Sequence, residues 1–333
     1  MKNSEKVLTI SIAAYNVSKY IKKTLDSCVN SGVLDKLEVL VVNDGSKDDT
    51  LEIATEYKNQ YPNSIFVIDK KNGGYGSTVN LSLSIANGKY FRLLDGDDWL
   101  NTDDINSFVD ELSECNEDMV ISRFKRVFDS GEPDEIRDET SGDYHKTYDF
   151  NSLKSSHDWF TMHAITYKTS VIKNRIELTE HCFYTDQEYD LLPLPYIKTI
   201  RFVPYVVYCY RIGREEQSVS PTGLEKHYND QTKVLKRMYN VFQNIEKKSD
   251  FKSKYIYSYL IRRTKFQVLV YLTISNNQLH KKELIQFIDY LKSNYPNILK
   301  EILSQSKTIW LLYYSKYLLY RPLHYRQLKK YRF

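Results

Sequence analysis

The pattern of the chain predicts an α/β fold, a largely parallel open sheet flanked by helices and followed by a helical C-terminal region. Two observations carry this. Between residues 7 and 95, four apolar strand-like runs alternate with helix-like runs through short connections, the order that builds parallel sheets. From about residue 223 onward, apolar residues recur at i, i+3 and i+4, the helical period. With 333 residues, 41% hydrophobic and 27% charged, the chain suits one large domain, or one domain and an appendage, around a sizeable core.

Residues 7–14, VLTISIAA, read as a buried strand, and SKYIKKTLDSCVNSG as the helix behind it, with Ser18 as cap and Gly32 as stop. KLEVLVV (36–42) is a second strand. After the NDGS turn, Ser46 and Asp49 are spaced as a capping box for a helix over 47–60. SIFVID (64–69) is a third strand, KKNGGYG a glycine-rich loop, STVNLSLSIANG a helix stopped by Gly88, and KYFRLLD (89–95) the fourth strand. Strands this uniformly apolar fit burial on both faces. Over 126–150 the pattern dissolves into polar, turn-rich sequence expected as a hairpin or mobile loop, and 159–211 recovers mixed character. Helices are expected over 224–247, 252–275, 280–294 and 296–320, so the boundary between domain and appendage is expected at 220/221.

Each polar cluster of the first hundred residues follows a strand: Tyr15-Asn16, Asn43-Asp44-Gly45, Asn72-Gly73-Gly74 and Asp95-Gly96-Asp97. In open α/β sheets, ligands bind beyond those strand ends. Five aspartates crowd positions 95–104. Asp95 and Asp97, two apart at a strand end, point the same way, and Gly96 leaves room for a ligand at the backbone. Paired carboxylates repel unless a cation or proton intervenes, and Mg²⁺ or Mn²⁺ takes one or two of them together with substrate phosphates. The alternative is a solvated acidic turn, with Asp103 or Asp104 starting the next helix. Trp99 at the third ligand position excludes an EF-hand. Asp44 is placed to accept hydrogen bonds from a ribose hydroxyl or a base N–H, or simply to make an Asx turn.

In this order and spacing, ISIAAYNVSKYIKKTLDS, EVLVVNDGSKDDT and NGGYGSTVNLSLSIANGKYFRLLDGDD resemble the N-terminal half of family 2 glycosyltransferases. The resemblance covers roughly residues 7–104, continues more loosely to about 220 and lapses in the C-terminal helices. It implies the GT-A fold, a Rossmann-like mixed sheet, and metal-dependent inverting transfer from a nucleotide sugar, expected to be a UDP-sugar. The acceptor would be a glycan or lipid-linked molecule in surface-polysaccharide synthesis.

By position, the resemblance sets Ala14 and Tyr15 behind the nucleotide base and Asp44 on the base or ribose. Asp95 and Asp97 become the pair for Mn²⁺ or Mg²⁺ and diphosphate, with Asp97 the direct ligand. Asn43 stands where the family usually has an aspartate. HCFYTDQEYDLLPL looks like the family's Glu-Asp segment, with Asp186 as the base that deprotonates the acceptor and Glu188 as its alternative. Thr185 replaces the usual glutamate, which keeps open a catalytically inactive nucleotide-sugar-binding or scaffold protein. YRIGREEQSVS resembles the family's arginine-rich closing loop, with Arg211 and Arg214 on the diphosphate. His163 is either a metal or acceptor contact or a structural residue among aromatics. A sugar-1-phosphate nucleotidyltransferase would need a glycine-rich loop after the first strand, and IAAYNVSKY has no glycine.

Net charge is +4, but residues 302–333 hold seven Lys/Arg and no acidic residue, leaving the rest slightly acidic. Residues 309–333 mix six tyrosines, a tryptophan and six Lys/Arg around an apolar helix that Pro322 should end. That composition suits a peripheral membrane contact, against the alternatives of a helix docked on the body or a homo-oligomer contact. Nucleic acid is disfavoured, because the basic residues alternate with bulky aliphatics. Four distant cysteines without a CxxC, no signal-peptide pattern and no 18-residue apolar stretch lead to the expectation of a cytoplasmic protein, at the inner face of the membrane through its tail.

Overall fold

The computed structural model describes residues 6–153, 159–213, 220–243, 250–274 and 278–330. Two compact units divide near residue 214, and Asp250–Lys252 belong with the first.

Among the described residues the first unit has ten strands: β1 (Leu8–Ala14), β2 (Leu37–Asn43), β3 (Ile65–Asp69), β4 (Tyr90–Asp95), β5 (Trp99–Leu100), β6 (Met119–Phe128), β7 (Glu135–Arg137), β8 (Thr147–Asp149), β9 (Ile165–Lys168) and β10 (Thr199–Ile212). The sheet runs β3-β2-β1-β4-β9-β6-β10-β5, with β7 beside β6 and β8 beside β10. β1 to β4 pair in parallel, as their unbroken apolar sequences require. β9 runs antiparallel between β4 and β6, which makes the sheet mixed. Residues 126–150, expected as a hairpin or loop, contribute β7 and β8 to the edges.

The helices of this unit are α1 (Ile21–Val29), α2 (Thr50–Gln60), α3 (Tyr75–Ile85), α4 (Ile105–Glu114), α5 (Thr169–Ile172) and α6 (Asp186–Leu191). α3 covers β1 and β2, α2 lies against β3, and α4 packs on β10. Two helix starts differ from expectation. α2 begins at Thr50 without a capping box, because the Ser46 hydroxyl accepts the Asn16 N–H at 3.0 Å. α1 begins at Ile21, and the Ser18 N–H instead donates to Asp48 Oδ2 at 3.0 Å. Both polar residues tie the β1 loop to the β2 loop.

The second unit contains α7 (Pro221–Phe242), α8 (Phe251–Thr273) from Ser253 onward, α9 (Gln278–Asn294), α10 (Pro296–Gln305), α11 (Lys307–Tyr314) and α12 (Tyr320–Lys330). α8 is buried along most of its sides, which marks it as the central helix. Tyrosines fill this interior with their hydroxyls satisfied: Tyr271 meets Thr232 at 3.0 Å, and the Tyr320 hydroxyl donates to the Tyr271 carbonyl at 3.1 Å. The single helix expected over 296–320 is broken twice. Ser306 caps α11 by accepting the Ile309 N–H at 3.3 Å, and Lys316 and Tyr317 turn the chain with φ of 51° and 63°. Pro322 lies in the first turn of α12 instead of ending a helix, a position that needs no donor from it. No described helix is long and apolar enough to cross a membrane. All four cysteines are buried and none forms a disulfide, and burial pushes the thiols of Cys28 and Cys115 up to about 12 and that of Cys209 to about 11.

Candidate active site

Register brings the predicted strand-end clusters to one edge. Ala14 is level with Asn43, Asn43 with Asp69, and Ala13 with Asp95. At the end of β1 Ala14 is buried, and just beyond it Tyr15 is half-exposed and Asn16 takes a left-handed turn, with φ 53°.

Asp44 follows β2 and is almost fully buried. Its Oδ1 accepts from Lys70 Nζ at 2.6 Å and from the Gly73 N–H at 2.8 Å, and its Oδ2 accepts the Gly74 N–H at 2.8 Å. One carboxylate therefore orders the whole glycine-rich turn and neutralises the lysine beside it. Asn43 does not mimic the aspartate usual in its place; its side-chain amide donates to Asp69 at 2.7 Å.

Asp95, Asp97 and Asp98 at the end of β4 each offer a carboxylate oxygen, all within 4.8 Å of one another. Sequence reasoning paired the first two; the structure adds Asp98, which is 1% exposed. Burial and the neighbouring charges of Asp97 and Asp95 push the Asp98 carboxyl well above its usual range. It is held by the Tyr208 hydroxyl at 2.6 Å and the Arg211 N–H at 2.7 Å. An all-oxygen trio of this kind fits a hard divalent cation, which would also relieve the mutual repulsion. The turn is pinned from behind by Thr24 of α1, whose hydroxyl lies 3.0 Å from the Gly96 carbonyl and 2.6 Å from that of Asp98. Gly96 is required by this packing rather than by a ligand: a Cβ there would lie 2.9 Å from the Ala13 carbonyl oxygen.

Asp186 is the first residue of α6, half-buried, and its charge acts on the hydroxyls of Tyr75 and Tyr210. The chain reaches it through two left-handed residues, His181 at φ 52° and Tyr184 at φ 64°. Strain of this kind clusters at functional sites. Glu188, the alternative base, is fully buried and accepts the Thr179 N–H at 2.6 Å and the Thr179 hydroxyl at 2.7 Å, which makes it the brace of this loop. Thr185 precedes α6, but its buried hydroxyl makes no cap and has no hydrogen-bond partner among the described residues.

Arg211 lies on β10 with its guanidinium between Tyr20 and Trp99, 5.1 and 5.2 Å from their ring centres. Its Nε donates to the Asp97 carbonyl at 3.2 Å and its NH1 to Asp129 at 2.8 Å, so it braces the acidic turn directly. Arg214 lies outside the described residues. His163 sits in an aromatic box, 4.3 Å from the Tyr210 ring and 5.2 Å from Phe124. Burial, then the charges of Arg92 and Arg126, lower it to about 3, so it stays neutral. A cavity of about 740 Å³ lined by Glu111, Glu117, His145 and Arg201 holds none of the predicted residues. Sequence reasoning missed Lys70, Tyr75 and Tyr208, whose roles rest on contacts that spacing does not encode.

Comparisons with known proteins identify the family and the fold. Residues 9–175 match the profile of Glycosyl transferase family 2. GgaB of Bacillus subtilis, a minor teichoic acid biosynthesis protein, is 24% identical over 90% of this chain, which spans only 33% of that protein. TarS 1–349 of S. aureus, solved with UDP-GlcNAc, superposes with a TM-score of 0.72 at 20% identity, covering 96% of this chain and 92% of that one. The mannosyltransferase PcManGT of Pyrobaculum calidifontis, solved with GDP-Man and Mn²⁺, gives 0.54 at 14% identity over 96% and 83%. The fold is GT-A, and with its profile match spanning half its length the chain belongs to glycosyl transferase family 2.

Proposed function

We propose that the protein transfers a sugar, with inversion, from a nucleoside-diphosphate sugar to a hydroxyl of a glycan or lipid-linked acceptor during synthesis of a cell-surface polymer. The observation that carries the proposal is the convergence of Asp95, Asp97 and Asp98 at the sheet edge that also carries Asp44. A UDP-sugar is the first donor to test, since TarS was solved with UDP-GlcNAc. The whole activity, its substrates and its partners are inferred, because the chain spans 33% of GgaB.

In this reading Ala14 and Tyr15 back the base, and Asp44 fixes the loop around the nucleotide. Asp95 and Asp97, with Asp98 beside them, would hold Mn²⁺ or Mg²⁺. A bound divalent ion supplies neutralisation of the diphosphate charge that develops on departure. Arg211 holds the Asp97 turn in place, and Arg214 is assigned to the diphosphate. Asp186 takes the proton of the acceptor hydroxyl as that oxygen bonds to the anomeric carbon. The bond from that carbon to the diphosphate breaks on the opposite face, and its electron pair leaves with the nucleotide. Asp186→Asn should lower transfer by about 10²–10⁴-fold while binding of UDP-sugar, followed by calorimetry, persists. Unchanged turnover would remove Asp186 from the role.

In the same reading the acceptor meets the protein at the inner membrane face. Trp310, Tyr314, Leu318 and Tyr325 are exposed alongside Lys307, Lys316, Arg321, Arg326 and Lys329, a composition suited to an anionic interface. Sedimentation with phosphatidylglycerol vesicles should require Trp310 and Leu318; equal pelleting with neutral vesicles would count against it.

A further inference from the structure

The Tyr75 hydroxyl donates to Asp95 Oδ1 at 2.9 Å. Its other neighbour is the Met162 sulfur at 3.6 Å. A phenol has one proton to give, and a charged carboxylate at the shorter distance is the stronger acceptor. The charges of Asp95 and Asp186 both act on this buried hydroxyl. Tyr75 thus touches the donor-side carboxylate and lies in the field of the candidate base.

The backbone that presents Tyr75 is locked on both sides. Asp44 binds the N–H groups of Gly73 and Gly74. The Gly73 carbonyl accepts the His181 N–H at 2.6 Å. A Cβ on Gly76 would come within 2.2 Å of the Thr179 carbonyl oxygen. Asn80, one turn further along α3, exchanges hydrogen bonds with Leu178, donating to its carbonyl at 3.0 Å and accepting its N–H at 2.8 Å. The start of α3 is therefore fastened to the Asp44 loop and to the segment leading to Asp186, with Tyr75 as the side chain that reaches Asp95. The Asp95 backbone N–H is held in turn by the Tyr208 hydroxyl, at 3.1 Å.

We infer that Tyr75 is a positioning residue that orients the Asp95 carboxylate toward the donor's metal–diphosphate group and fixes it relative to Asp186. The inference rests on the reading of the acidic trio as the donor-metal site. Its test is Mn²⁺ binding in the presence of UDP, followed by calorimetry and Mn²⁺ electron paramagnetic resonance, on the wild-type chain, Tyr75→Phe, Asp95→Asn, their double variant and Asp97→Asn. The phenylalanine keeps the ring and its packing, so Tm should stay within a few degrees. Mn²⁺ should dissociate about three- to tenfold more readily from Tyr75→Phe, the loss of one hydrogen bond to a charged group. In the Asp95→Asn background the same change should cost nothing further, because it acts through Asp95. Additive losses, or unchanged Mn²⁺ binding in Tyr75→Phe while Asp97→Asn abolishes it, would overturn the inference and leave the metal site standing. Unchanged binding in Asp97→Asn would overturn the metal site itself, and the inference with it.

Discussion

Asp44 and Asp97 both lie just past the end of a parallel strand, on the two strands that flank β1, yet their surroundings differ in kind. Asp44 has its cation built in, with Lys70 Nζ 2.6 Å away and two peptide N–H groups completing the shell. Asp97 stands in a group of three carboxylates braced by tyrosine hydroxyls and the Arg211 N–H. The chain thus closes the first site with its own charge, which makes it a structural anchor for the glycine loop. At the second it gathers like charges that a cation from outside would stabilise. Side-chain type alone does not separate these roles; what lies opposite the carboxylate does.

Removing Asp97 should hurt chemistry and spare the fold. Asp97→Asn should reduce transfer by about 10²–10³-fold with Tm in metal-free buffer unchanged or raised, since one repulsion is gone. A large drop in that Tm would mean the trio is structural after all. Removing Asp44 should do the reverse. Asp44→Ala leaves the half-buried Lys70 ammonium with only the neutral Lys71 carbonyl and Ser77 hydroxyl as acceptors and strands two loop N–H groups, costing about 2–4 kcal/mol by chemical denaturation. Lys70→Met should cost less, about 1–2 kcal/mol, because the N–H groups still satisfy the carboxylate. Equal stability of wild type and Asp44→Ala would erase the distinction.

The smallest effect concerns pH. His163 titrates near 3 in the folded chain because burial and the charges of Arg92 and Arg126 oppose its protonation, against about 6.5 when unfolded. As pH falls from about 6.5 toward 3, the unfolded chain takes up a proton that the folded chain refuses, so this stability is lost on acidification. His163→Phe should flatten the fall in Tm between pH 7 and pH 5. An unchanged slope would place the titration elsewhere.

The first four strands were legible to within a residue because parallel strands buried on both faces write continuous apolar runs. β10 was not, since Pro204 and two register shifts between Phe202 and Tyr208 interrupt its period. The helix starts at Ile21 and Thr50 were missed because Ser18 and Ser46 serve contacts some thirty residues away instead of local caps. The convergence of Asp95 and Asp97 was legible from strand-end spacing, whereas Asp186 was chosen on order and resemblance and its role is a proposal. Tyr75 was hidden: in KKNGGYG it reads as a loop tyrosine, and its bond to Asp95 spans 20 positions. Asp98 was not singled out with Asp95 and Asp97, because spacing gives no measure of its burial.

The four sealed thiols have a practical consequence. Alkylating probes react with accessible thiolates, and here each cysteine is buried, with three of them held largely as thiols at neutral pH. The natural chain therefore offers a nearly silent background for site-directed labelling. A single cysteine introduced at exposed Lys47, beside the Asn16–Ser46 contact, would carry a fluorophore next to the loop proposed to meet the nucleotide, without prior removal of native cysteines. Donor binding would then become an optical signal in an otherwise unaltered protein.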